Sequence, residues 1–282
     1  MHEKSTADVE WKECVDAALS ILHEHVDALA ELIDKLSESK TETAPIIAQY
    51  VHAVGLSCKS FEILVQHNCV RDGWVACRTA YLTILNACYT CSIGPEAANK
   101  AFRHAMQRAY RDLDQQVKLA NTKAVLRYEG DISLEKHPDV LKANQEYTTK
   151  KGREIKSWTT DGPESQLKAV EEKYGAETVA PLLLTHLAHY RHASESAHGT
   201  IFGYLWFCGQ TVPNERPMTA KDVGDHFRSL ALVAGSSIIE SVHCLIKLVS
   251  QEFNLGDSVI IKSKMLVSRL SQILERVPRK RA

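Results

Sequence analysis

Apolar residues Val15, Leu19, Leu22, Val26, Leu29, Leu32 and Ile33 recur at three- and four-residue steps, the spacing that lines one face of an α-helix. The pattern predicts a helix from about Val9 to Leu36, with the polar run Ser37 to Thr43 as its exit loop. Pro45 suits the first turn of a second helix ending near Gln66, where its missing N–H has no intrahelical partner. Asn68 to Gly73 marks a break. The next stretch, Asp72 to Ser92, is apolar nearly all round and predicts a central helix. Gly94 and Pro95 then read as a C-terminal cap and a new first turn, opening a long basic helix to about Leu126. Tyr128 to Pro138 interrupts the pattern, and Val140 to Ser157 reads as a polar helix. T-T-D-G-P-E introduces a short helix to about Tyr174, and after Gly175 a further one spans Glu177 to Ala197. The aromatic stretch after Gly199 fits either a helix or a packed loop. Pro213 and Pro217 frame a linker, Thr219 starts a long apolar helix to about Phe253, and a last helix leads into R-V-P-R-K-R-A.

No window sustains a period-two alternation. The chain is therefore expected to be all-α, a bundle of about seven to nine helices. Residues 1–212 form the main bundle, with 213–282 a helical pair packed on it in a single compact domain.

Composition narrows the function classes. A formal net charge of -1 over 282 residues argues against a cationic nucleic-acid coat and leaves room for a local basic groove. The N-terminus has no apolar core after a basic region, and no apolar run reads as membrane-spanning; the expectation is a cytoplasmic protein without membrane contact. The eight cysteines are scattered, which favours reduced thiols, and Cys88-x-x-Cys91 lies inside an apolar helical pattern as buried small side chains. No P-loop, dinucleotide fingerprint, H-E-x-x-H or nucleophile elbow is present.

Chemistry concentrates in Thr185 to Thr200, T-H-L-A-H-Y-R-H-A-S-E-S-A-H-G-T. Seven helical steps place Arg191 and His198 about 20° apart in azimuth and about 10 Å apart along the axis, with Ser194 between them. A guanidinium that clamps phosphate and an imidazole that moves protons would share one strip. His186, His189 and His192 also lie here, but their drift of about 60° per step does not build a metal face, and no metal or cofactor is expected. The competing structural reading is a buried polar network joining Tyr190, Arg191, Ser194 and His198 to Arg78 on the central helix. Arg103, Arg108 and Arg111 on the fourth helix, and the tail Arg276, Arg279, Lys280 and Arg281, are the basic groups available to a polyanion; each also reads as a solvated face.

The Arg191-to-His198 spacing, with polar His192 after the arginine, resembles the R-x(4–6)-H signature of the HEPN superfamily of small helical bundles. The string Y-R-H-A-S-E-S-A-H-G, with Arg78 upstream, is also similar to a bacterial helical family of unknown function carrying a Tyr-Arg-x-x-Ser-x-x-x-His motif, over roughly residues 45 to 210. The HEPN resemblance implies metal-independent RNA cleavage, toxin- or defence-related, in a composite homodimer site, with Arg191 and His198 catalytic and His192 auxiliary. The alternative is a non-catalytic sensor or module that binds a protein partner or a small anion. Exposure of Arg191 and His198 in a cleft or at a dimer interface favours the first, and burial with full hydrogen bonding inside one protomer the second.

Overall fold

A computed structural model describes residues 6–112, 114–119, 122–127, 138–209 and 220–277. Its architecture is helical: α1 (Thr6–Ser37), α2 (Ala44–Gln66), α3 (Val70–Ile93), α4 (Pro95–Asp112), α5 (Pro138–Glu146), α6 (Pro163–Tyr174), α7 (Ala176–Thr185), α8 (Arg191–Ala197), α9 (Ile201–Phe207), α10 (Ala220–Glu252) and α11 (Ser258–Glu275). A π turn, His186–Tyr190, joins α7 to α8 without a break, so ten helices stand among the described residues, above the expected seven to nine.

Two compact units emerge, one of residues 1–92 with 163–282 and a smaller one of 93–162. The smaller unit thus falls inside the span read as the main bundle. The linker framed by Pro213 and Pro217 lies outside the described residues.

In the larger unit, α10 is the spine, packing against α1, α2, α7 and α11. One window of it is apolar and long enough to cross a membrane by length and composition, contrary to the sequence expectation, and 67% of that window is buried in the fold. Leu22, Leu29 and Leu32 of α1, Ile47 and Phe61 of α2, and Ile238 and Leu245 of α10 are fully buried, which is what their helical spacing predicts. The α2–α3 joint turns at Asn68, whose φ of 60° is a left-handed conformation that asparagine tolerates. Side-chain bonds dock α3 on α10: the Trp74 indole N–H donates to the Leu230 carbonyl (3.0 Å) and the Cys77 thiol to that of Ala234 (3.5 Å). Lys173 at the end of α6 donates to the Cys91 carbonyl and pairs with Glu252. All eight cysteines are free and six are buried, Cys88 and Cys91 among them; burial pushes the Cys91 thiol up to about 12.

In the smaller unit, α4 stops at Asp112 rather than running to Leu126, and an antiparallel hairpin follows: β1 (Asp114–Leu119) pairs with β2 (Thr122–Arg127). Its segments D-Q-Q-V-K-L and T-K-A-V-L-R carry no strict apolar alternation, so the backbone ladder was not visible as a sequence pattern. The polar helix expected to reach Ser157 ends at Glu146, and the chain folds back through a bridge between Thr148 and Glu154.

Candidate functional site

The candidate segment is shaped by three local devices. Pro181 lies inside α7, where its ring removes one backbone donor. Thr185, four residues on, donates its hydroxyl to the Pro181 carbonyl (2.9 Å) and sits against Ser237 and Ser241 of α10. The π turn comes next, and its wider winding changes which way the following side chains face. The drift inferred for a uniform α-helix therefore does not hold through His186, His189 and His192. Finally, Gly199 at φ 64° reverses the chain into α9, the helix-or-loop alternative resolving to helix. Thr200 caps it, its hydroxyl oxygen accepting from the Gly203 N–H (3.0 Å) and its O–H donating to Glu195 Oε2 (2.8 Å).

Each histidine of the cluster finds its own aromatic neighbour. His186 stacks on Tyr190 at 5.0 Å and 17°. His189 is fully buried on Trp74 at 4.1 Å, with Nε2 against the Trp74 carbonyl at 3.1 Å, and burial holds its pKa at about 4. His192 is half-buried and stacks on Trp206 at 4.2 Å and 6°. Burial first, and Arg191 second, keep its pKa below the ordinary histidine value, against a smaller opposing effect of Glu195. Among the described residues no group of three histidine, cysteine or acidic side chains is arranged to hold a metal.

The structure divides the sequence-predicted site. Arg191 and His198 are exposed on α8 and at its C-terminal cap, and among the described residues neither side chain makes a hydrogen bond or ion pair. The buried network linking them to Arg78 is not formed. Arg78 instead places its guanidinium over the Tyr190 ring, 5.3 Å from the centroid, within a group that Tyr81 and His186 complete. Ser194 is half-buried between the two sets, its carbonyl accepting from the His198 N–H at 3.0 Å. Earlier in the same segment, Leu184 and Leu187 are each 66% exposed. A cavity of about 290 Å³ is lined by Lys12, Leu19, Val70, Phe227 and Arg228, none of them a candidate residue.

The fourth-helix arginines belong to the smaller unit and are engaged there. Arg103 grips Glu146 with two bonds (2.6 and 3.0 Å), Arg108 pairs with Glu154 at 3.2 Å, and Arg111 donates to the Thr148 hydroxyl at 2.8 Å. They fasten α5 and the turn after it to α4. In the basic tail Arg276 caps α11 and is exposed, while Arg279, Lys280 and Arg281 lie outside the described residues.

Sequence reasoning missed Tyr81, His186 and Trp206 as neighbours of the motif. Only the one-turn spacing of Arg78 and Tyr81 on α3 hinted at a shared face.

Neither a curated protein nor a solved structure matches the chain. No comparison connects it to the HEPN superfamily, so that likeness stands on the Arg191-to-His198 spacing alone. The profile of the Family of unknown function (DUF5677) matches residues 44–210, from the start of α2 to just beyond α9, close to the span of the second resemblance and including every motif residue. With more than half of its length covered, the chain belongs to the Family of unknown function (DUF5677).

Proposed function

We propose that the chain is a metal-independent endoribonuclease in which Arg191 and His198 act on the phosphodiester. The observation that carries the reading is that an arginine and a histidine share one exposed strip of α8, and among the described residues neither side chain makes a hydrogen bond or ion pair. A guanidinium suits an anionic ligand, and an imidazole can both accept and donate a proton. Attack of a ribose 2′-hydroxyl on the adjacent phosphorus forms a new P–O bond and expels the 5′-oxygen. His198 would take the hydroxyl proton or supply one to the leaving oxygen, and Arg191 would stabilise the charge on the phosphorane oxygens. His192, stacked on Trp206, would support Arg191 rather than move the proton.

The exposed Leu184 and Leu187 of the same segment favour a homodimer through this segment, in which two-fold symmetry would double the Arg–His set. The same leucines also favour a second reading, a non-catalytic module whose partner is another protein.

Incubation of the full chain with single-stranded and structured RNAs in EDTA separates the two. The nuclease reading expects cleavage to 2′,3′-cyclic phosphate ends, reduced at least a hundredfold in Arg191→Ala and His198→Ala, with circular dichroism unchanged because both side chains are exposed. Intact RNA with the wild-type chain leaves the interaction module.

A further inference from the structure

A second set of polar atoms lies inward of this strip, between α3 and the π turn. The Arg78 Nε, the Tyr81 hydroxyl and the His186 Nδ1 are all buried without a hydrogen-bond partner among the described residues. The side chains that carry them are neighbours: the Tyr81 ring centroid lies 6.0 Å from that of His186 and 6.1 Å from that of Tyr190, His186 and Tyr190 stack at 5.0 Å, and the Arg78 guanidinium covers Tyr190 at 5.3 Å. Tyr81 is wholly buried, and a buried hydroxyl with nothing to bond is rare because it forfeits its hydration. His186 and Tyr190, four residues apart, are the first and last residues of the π turn, and such turns recur at functional sites.

We propose that this cluster binds a phosphate group, free or as the terminal phosphate of a nucleotide. Arg78 supplies a fixed positive charge and an N–H donor. Burial raises the Tyr81 pKa well above its ordinary value, so the phenol keeps its proton and donates. Glu164 of α6 faces the His186 Nε2 at 3.5 Å; a proton held there leaves Nδ1 to accept from a protonated phosphate oxygen. Arg78 is half-buried and gives the anion a way in. The site does not depend on RNA cleavage and would serve an inactive module equally.

Isothermal titration of the full chain with inorganic phosphate, and separately with AMP, tests the site in wild type, Tyr81→Phe and Arg78→Gln. Tyr81→Phe removes one oxygen that has no partner, so its urea midpoint should equal or exceed that of wild type. Its affinity for phosphate should fall about tenfold, the loss of one such donor, and Arg78→Gln should bind less still. Tighter binding of AMP than of phosphate would assign the group to a nucleotide; equal binding, to the free anion. Absence of binding to both ligands overturns the proposal, as do equal affinities in wild type and Tyr81→Phe. A destabilised Tyr81→Phe would show that the hydroxyl has a structural partner, with the same consequence.

Discussion

His25 and His189 show how far burial alone changes a side chain. Each is fully buried, and loss of hydration holds each pKa at about 4. The His25 Nδ1–H donates to the Ile21 carbonyl, leaving Nε2 to accept from the Ser263 hydroxyl, whose oxygen in turn accepts from the His243 Nδ1–H. A proton on His25 Nε2 would break that chain, which joins α1, α10 and α11. In the unfolded chain a histidine titrates near 6.5, so between about pH 6.5 and 4 the unfolded state binds more protons. Stability contributed by the neutral imidazoles is complete above pH 6.5 and lost as pH falls toward 4, by roughly 3 kcal/mol for each histidine. The urea midpoint should therefore be lower at pH 5 than at pH 7.5, and His25→Gln should narrow the difference; equal midpoints for the wild type would show that both histidines are already protonated or exposed. The thirteen histidines look alike in sequence. Which of them are buried depends on residues remote in the chain, such as Ser263 for His25 and Trp74 for His189.

The α8–α9 turn decides where the candidate residues point. A Cβ on Gly203 would lie 2.8 Å from the Glu195 carbonyl carbon and 2.9 Å from the Glu195 oxygen and the Ser196 nitrogen. These are backbone atoms that no side-chain rotation can clear. Gly203→Ala is expected to destabilise by about 1–3 kcal/mol and to move α9 off α8, loosening the His192–Trp206 stack. A lowered urea midpoint with a changed tryptophan emission would show this, whereas an unchanged midpoint would mean that α9 does not seat on α8 as described. The glycine was visible in sequence, but not its contact. The π turn was equally hidden, because the hydrophobic pattern either side of it still reads as one helix. The helices themselves were legible to within a few residues where the apolar face was wide, as in α1, α2, α3 and α10. Legibility failed at the end of α4 and in α5, where polar sequence gave no face to follow and backbone pairing took over.

For the molecule as a whole, the homodimer proposed above has a direct test. Leu184→Asp with Leu187→Asp puts charge at two exposed positions, so sedimentation should pass from dimer to monomer with helical circular dichroism retained. A wild-type chain that sediments as a monomer at tens of micromolar would remove the dimer from the nuclease reading. The matched family span ends just past α9, yet the core of the larger unit includes α1, α10 and α11, which bury Leu22, Leu245 and Leu270. Sequence by itself determined the helical class, most helix positions, and a motif with Arg191 and His198 on one strip, because those follow from local periodicity. Tertiary structure alone decided that the strip faces solvent, that Arg78 turns to Tyr190 instead, that Arg103 and Arg108 of the fourth helix meet acids, and that Tyr81 and His186 carry buried polar atoms with no partner among the described residues. Those outcomes depend on which helix lies opposite which, a choice set by packing between residues far apart in the chain and by one π turn that local periodicity does not record.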